Sequence, residues 1–431
     1  MANLEGKRLL ILGGSRISCE IIRKAKELGI YSLVTDWYPI EKSPAKQMAD
    51  KALMVSTADV DAVVELIKEE KIDGVITGYT DSVLPYYAQI CEKAGLPSYG
   101  TEEQFEILTN KNKYKALCKE YGVPTVEEYI ISESSTDEDF DNIKYPVLVK
   151  PADNSGARGI SICYDKEELI RAYERAISFS DSKEVLVEQY LNGKEVTIFW
   201  AFQDGDIMLA GMGNRHMRHK EAGIIPLPVG YSFPSIHIKE YEKEIEPKVK
   251  EMLSSIEIKN GMMFMQCLIE DGQCIVYDIG FRLTGSLEYK LQAHIDGYDP
   301  LEMMIRYALT GKMAEYSLKD KITPYWNQYA CNVSFLVKPG VVGKIIGLEE
   351  IKAMPGVVDA VLAHVEGEEI SESARGTLKQ IILRAFGVAS SQEELASLFD
   401  EIYSKLEVIS VDGENMLMGG LDTSELEGEL I

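Results

Sequence analysis

Tyr145-Pro-Val-Leu-Val-Lys150, followed by Pro151-Ala-Asp-Asn-Ser-Gly-Ala-Arg-Gly159 and then Ile160-Ser-Ile-Cys163, is an apolar run ending in a lysine, a glycine-rich loop and a second apolar run. The pattern predicts a β-hairpin. Glycines let backbone N–H groups approach phosphate oxygens closely, the Ser155 hydroxyl adds a donor, and Lys150 supplies the compact charge that suits a phosphate. Taken alone, the segment equally fits a plain hairpin tip with a solvated lysine, so its surroundings decide.

Upstream, Arg8–Leu12 is a continuous apolar run broken by Gly13-Gly14-Ser15, Glu20 to Gly29 has helical spacing ending at a glycine, and Tyr31–Thr35 is a second strand. This predicts a βαβ unit, right-handed by the usual rule. A further helix over Ala58 to Glu70 and a strand Gly74–Thr77, followed by Gly78-Tyr-Thr-Asp81, extend it to an open parallel sheet filling the first hundred residues. Gly13-Gly14 lacks the full GxGxxG and reads best as a tight strand-to-helix turn rather than a phosphate site. Asp36 ends its strand where a dinucleotide fold would hold ribose, yet without that fingerprint it equally fits a surface acid.

Between this sheet and the hairpin, Phe105 to Tyr121 reads as one helix closed by Gly122. Downstream, Val185-Leu-Val-Glu188 is a strand ending in an acid, and Gln189-Tyr-Leu-Asn-Gly-Lys-Glu195 leads into a long strand from Val196. Met262 to Ile269, a turn at Glu270 to Gln273, and Cys274 to Asp278 predict a second hairpin. From about Trp326 the spacing predicts strands at Ala330 to Val337 and Val357 to His364, then helices at Gly376 to Phe386 and Ser391 to Leu406.

With 431 residues the chain exceeds what one core serves. No window approaches the roughly 18 to 20 unbroken apolar residues of a membrane span. A net charge of −25 opposes nucleic acid or anionic lipid as a partner, so a phosphate ligand would need a local basic pocket. Seven scattered cysteines without CxxC spacing argue against a disulfide framework and a thiolate zinc site. With no apolar signal segment after Met1, the expected compartment is the cytoplasm. The absence of HExxH, GxSxG and GxxxxGK[ST] removes zinc proteases, α/β-hydrolases and P-loop enzymes.

The order Lys111, Lys150, the glycine loop, Glu188, Glu195, Asp278 and Arg282 resembles the ATP-grasp superfamily in its carbamoyl-phosphate synthetase large subunit and biotin carboxylase branch. The chain looks especially like the ATP-dependent amino acid ligases related to that branch. The resemblance implies an α/β ATP-grasp fold: an open parallel α/β domain over residues 1–105, a two-lobed α+β ATP-binding region over 106–320 (small lobe about 125–190, large lobe about 191–320), and a C-terminal α+β domain over 321–431. It further implies ATP and Mg²⁺, or Mn²⁺, as cofactors.

Residue by residue, Lys111 resembles the first nucleotide-binding lysine, with Lys113 as the substitute, and Lys150 the second. Ser155, Gly156 and Gly159 match the loop that covers the phosphates, where Arg158 would add charge. Glu188, Gln189 and Leu191 match the hinge that holds the adenine, largely through backbone groups, and Glu195 the acid that binds the ribose. At the metal corner relatives place a glutamate on the entering strand and Glu-x-Asn-x-Arg on the leaving strand; here those positions are Gln266 and Asp278-Ile-Gly280-Phe-Arg282. Asp278 and Gln266 are the metal ligands this leaves, and Arg282 is the catalytic cation that balances phosphoryl transfer.

The segment Asn214-Arg-His-Met-Arg-His-Lys220 is conspicuously basic, and Arg215 and Arg218 are its candidates for pairing a substrate carboxylate or the γ-phosphate. His294 and His364 read as structural. The expected activity is phosphorylation of a small carboxylic or amino acid to an acyl phosphate, captured by an amine or a thiol with release of ADP and phosphate. The resemblance leaves room for a homodimer. Two other readings stay open: a nucleotide-binding regulatory or scaffold protein, suggested by Gln266 and Gly280, and a bicarbonate-using carboxylase or carbamoyl-phosphate-forming enzyme.

Overall fold

Four short strands pair in the order Lys51–Leu53, Tyr31–Thr35, Arg8–Leu12, Gly74–Thr77, all parallel, and the last three are apolar runs buried over nearly their whole length. Amphipathic helices Cys19–Glu27, Val60–Glu69 and Leu84–Ala94 connect and cover them. The computed structural model describes residues 3–131, 135–152, 159–180, 182–218, 227–428 and 430. Gly14 explains the first turn. A side chain there would run into Ser43 and Asp36, and its N–H donates to the Asp36 carboxylate at 2.9 Å. Asp36 is buried and also pairs with Lys46 at 2.6 Å. This is a packing turn.

The expected single helix over Phe105 to Tyr121 is two helices, Glu102–Thr109 and Lys111–Glu120. Asn110 separates them: its backbone is extended, and its side chain accepts from the N–H groups of Asn112 and Lys113, capping the second helix.

The loop-bearing hairpin forms as predicted, Val147–Pro151 against Ser161–Cys163, in a small sheet ordered Glu128–Tyr129, Val185–Gln189, Val147–Pro151, Ser161–Cys163. The second hairpin, Gly261–Glu270 with Gln273–Gly280, begins an eight-stranded antiparallel sheet. It continues through Lys194–Gln203, Asp206–Met217, Pro228–Phe233, Tyr329–Leu336, Ile381–Ala389 and Val357–Leu362. The run Gly376 to Phe386, expected as a helix, instead gives a 3₁₀ turn at Leu378–Gln380 and the strand Ile381–Ala389. Its apolar residues lie buried on both faces of the sheet, and a short all-apolar run cannot be told from a buried helix by periodicity. The last sheet, Glu369–Ile370, Gly340–Ile346 and Glu407–Ser410, packs with the helix Gln392–Lys405 over a separate apolar cluster. Among the described residues no helix is long and apolar enough to cross a membrane, and all seven cysteines are free and buried.

Candidate active site

One face of the eight-stranded sheet carries most of the candidate residues, because side chains alternate along each strand and partners in register share a face. Gln266 faces Asp278 across the second hairpin and Thr197 on its other side. Glu195 faces Arg215, Arg215 faces Tyr231, and Tyr231 faces Asn332. A β-bulge in the second hairpin leaves Tyr277 without a cross-strand partner. Its hydroxyl donates to Glu195 at 2.7 Å and also takes a hydrogen bond from Arg215. Arg215 forms an ion pair with Glu195 and donates from Nε to the Tyr231 hydroxyl at 3.1 Å. Arg215 and Glu195, expected to bind substrate and ribose separately, are therefore partners. Arg218 lies at the end of the same strand, its N–H on the Leu227 carbonyl at 2.8 Å.

The small sheet and the helix Lys111–Glu120 contribute a buried triad. Lys150 ends its strand with its ammonium 2.7 Å from Glu188. Lys115 pairs with the other oxygen of the same carboxylate and reaches Glu128 at 3.2 Å. Burial raises the Glu188 pKa, but the two lysines more than offset it and hold the carboxyl below its ordinary range. Burial likewise lowers the pKa of Lys150, with Glu188 opposing the shift. Lys111, one helical turn before Lys115, donates to the Ala152 carbonyl at 3.2 Å, at the root of the glycine loop. Lys113 points elsewhere, to Glu106.

Of the residues expected at the hinge, Glu188 and Gln189 close the strand Val185–Gln189 of the small sheet. The Gln189 N–H donates to the Glu127 carbonyl at 2.9 Å, and Leu191 is buried. Gly159 adopts φ +76°, where a side chain would meet Phe179 and Pro151 at 2.9 Å. Ser155, Gly156 and Arg158 lie outside the described residues, as do His219 and Lys220.

Asp278 is the carboxylate on which the charges converge. Burial pushes its pKa up; Lys111 and Lys150 oppose that shift, Asp81 adds to it and Arg282 opposes it. Arg282 is gripped by Asp81 of the N-terminal domain through two parallel hydrogen bonds, 2.7 and 2.6 Å. At Gly280 a side chain would strike the Phe264 ring, which also lies 5.2 Å from the Arg282 guanidinium. The position where relatives carry asparagine is thus filled by an aromatic ring from the facing strand.

The sequence reading missed Lys115, Asp81, Tyr277 and Tyr231. Lys115 carried a signal, since it stands four residues after Lys111 on one helix. Asp81 carried a weaker one as the acid after a parallel strand. The tyrosines carried none, because only the bulge and the pairing register bring them in.

A small sheet and helix that bring Lys150 and Lys111 within electrostatic reach of Asp278 on a large antiparallel sheet, after a parallel N-terminal sheet, form the arrangement of the ATP-grasp class of fold. The model of the carbamoyl-phosphate synthase L chain ATP-binding domain matches residues 110–316, and that of the biotin carboxylase N-terminal domain matches residues 5–105. The chain belongs to the ATP-grasp ligases, in the branch that holds carbamoyl-phosphate synthase and biotin carboxylase. It is 26% identical over 338 residues to the 2-oxoglutarate carboxylase small subunit of Hydrogenobacter thermophilus, covering 73% of this chain and 69% of that one. It is 25% identical over 325 residues to the carbamoyl phosphate synthase large chain of Clostridium beijerinckii, covering 72% of this chain but only 30% of that one. Among solved structures, an L-amino acid ligase from Bacillus licheniformis superposes with a TM-score of 0.75 at 21% identity, covering 94% and 99% of the two chains. Phosphoribosylglycinamide synthetase from Anaerococcus prevotii superposes at 0.73 and 20%, covering 94% and 100%.

Proposed function

We propose that this chain is an ATP-dependent carboxylate–amine ligase, which phosphorylates a small carboxylic or amino acid and passes the acyl group to an amine with release of ADP and phosphate. The observation that carries the reading is the place of Asp278, in register with Gln266 and within the electrostatic reach of Lys111, Lys150 and Arg282. Cations held in place by fixed carboxylates, Lys150 by Glu188 and Arg282 by Asp81, suit a polyphosphate with its metal better than a neutral substrate. The Bacillus licheniformis neighbour is titled an L-amino acid ligase, and a Hydrogenobacter thermophilus biotin carboxylase domain was solved as a dimer with MgADP and bicarbonate. We extend ATP, and a homodimeric assembly, to this chain on that likeness.

Among the described residues no three His, Cys, Asp or Glu side chains gather as a metal cage. One carboxylate and one amide oxygen fit a divalent ion that takes its remaining ligands from phosphates and water, as magnesium commonly does. Asp278 and Gln266 would hold Mg²⁺ or Mn²⁺, whose contribution there is to neutralise charge on the phosphates. The protein's own groups do the rest. Lys150 and Lys111 orient the phosphates, the lobes exclude water from the acyl phosphate, and Arg282 balances the charge on the group in transfer. The Phe264 ring against Gly280 favours the second reading, a nucleotide-binding protein without turnover.

An ADP-release screen of amino acids, dipeptides and small organic acids with Mg²⁺ or Mn²⁺, using Lys150→Ala as the blank, tests both. A signal that needs one acid plus one amine supports the ligase. Release with bicarbonate alone points to the carboxylase-like chemistry, and ATP binding without any release to the regulatory reading.

A further inference from the structure

The buried cations of the site are neutralised by neighbours: Arg215 by Glu195, Arg282 by Asp81, and Lys115 and Lys150 by Glu188. Arg384 is different. It stands on the strand Ile381–Ala389 opposite Ser334, beside the Asn332–Phe386 pair, on the face that carries Glu195, Arg215 and Tyr231. Its Nε is buried and has no hydrogen-bond partner. Its surroundings lower its pKa by burial, against the opposing pull of Tyr231 and Glu288, with which it forms no ion pair. A guanidinium whose Nε is buried and unbonded is costly unless a ligand or an ordered water completes it.

Two further orphans lie in the same neighbourhood, and both are oxygens. Glu288 is 1% exposed; its Oε2 takes the Thr284 hydroxyl, while its Oε1 has no donor. Asn332 is 1% exposed; its amide N–H donates to the Ser286 carbonyl at 2.8 Å, while its Oδ1 has no donor. The segment Thr284 to Glu288 that links them follows Arg282 directly. Three unsatisfied buried groups in one neighbourhood call for a partner, a ligand or ordered water. Their chemistry is also complementary to one kind of ligand, with a guanidinium for a carboxylate and two oxygens for an ammonium.

We propose that Arg384, Glu288 and Asn332 form a cradle for the acceptor substrate, an α-amino acid bound as its zwitterion, with the carboxylate on Arg384 and the ammonium between Glu288 Oε1 and Asn332 Oδ1. The proposal rests on the ligase reading above and assigns it an acceptor. A carboxylate gripped by a guanidinium is not the one offered to ATP, so the bound amino acid supplies nitrogen. In the transfer a C–N bond forms to the acyl carbon and the C–O bond to phosphate breaks, its electron pair leaving with phosphate. Of the two protons the ammonium loses, one departs as HPO₄²⁻ and one passes to solvent.

The test compares α-amino acids with their amides as acceptors, using the whole protein in the ADP-release assay. Wild type is expected to favour the acid over its amide. Arg384→Met is expected to raise KM for the acid about 10- to 100-fold, the scale of a lost charged hydrogen bond, and to leave the amide and the affinity for ATP unchanged. Glu288→Gln is expected to raise KM for acid and amide alike. If Arg384→Met does not fold, Arg384→Lys replaces it, with a partial loss expected for the acid alone. For the Arg384 variants, equal effects on acid and amide, or none on either, would overturn the cradle and leave Arg384 satisfied by ordered water. If no acceptor turns over, calorimetry of amino acids into the ATP-loaded protein decides: no heat at millimolar concentration overturns the cradle. A separate ATP titration into wild type and Lys150→Ala reports whether the ligase reading has failed with it.

Discussion

The two sides of the cleft handle charge in opposite ways. On one side, formed by the small sheet and the helix Lys111–Glu120, Lys115, Lys150 and Glu188 are each less than a tenth exposed and satisfy one another before any ligand arrives. On the facing sheet the metal corner is short of acids: Asp278 has an amide as its cross-strand partner, and the position where the ATP-grasp pattern expects a further ligand holds Gly280 beneath a phenyl ring. The lysine side is pre-organised, so phosphate binding requires little rearrangement there. The metal side is thin, so a divalent ion must draw on the ligand itself. Affinity for nucleotide and affinity for metal should accordingly separate in this protein.

Removing the anchor of the lysine side should have the largest effect. Glu188→Gln leaves the Lys150 ammonium buried without its counter-charge and Lys115 with Glu128 alone, and the expected loss is about 3–5 kcal/mol, the range for breaking a buried pair. Urea denaturation measures it. A loss under about 1 kcal/mol would mean that solvent reaches the triad, and the contrast between the two sides would collapse.

Gly280→Asn probes the other side and should cost about 1–3 kcal/mol, the range for overpacking, because the new side chain meets the Phe264 ring. Combined with Phe264→Ala, that added cost should vanish, a non-additivity read from a double-mutant cycle. Mn²⁺ binding followed by electron paramagnetic resonance should tighten only in the double variant. Unchanged binding there would show that the glycine is not what limits the metal.

The smallest effect is one of pH. Burial raises the folded pKa of Asp278 above its ordinary value, so its contribution to stability is fully present below the unfolded pKa and is lost as pH rises through the folded one. Asp278→Asn should therefore raise the melting temperature of the ligand-free protein at pH 8, and the gain should shrink as pH falls toward 4. A gain that is constant with pH would place the Asp278 charge in solvent.

The landmarks that sequence made legible are those with local signatures. The hairpin around Lys150, the strand ending at Glu188 and the Gln266–Asp278 pair follow from apolar runs, turn residues and spacing. Contacts set by distant register left no trace: Arg282 and Asp81 are 201 residues apart in the chain. Arg384 shows the cost of one misread element. Within the helix expected over Gly376 to Phe386 it would have been an ordinary solvated residue; on the strand that forms instead, its side chain joins the face of Asn332 and Tyr231.

The continuity of the eight-stranded sheet bears on how the protein can be cut. Tyr329–Leu336 lies directly against Pro228–Phe233, so truncation near residue 320 would strip the cover from an interior strand. The shortened chain would present a long row of bare N–H and C=O groups, the template on which chains stack into aggregates. Expression of residues 1–320 alone should then yield insoluble material, whereas release of the hairpin Val147–Cys163 would disturb only the small sheet.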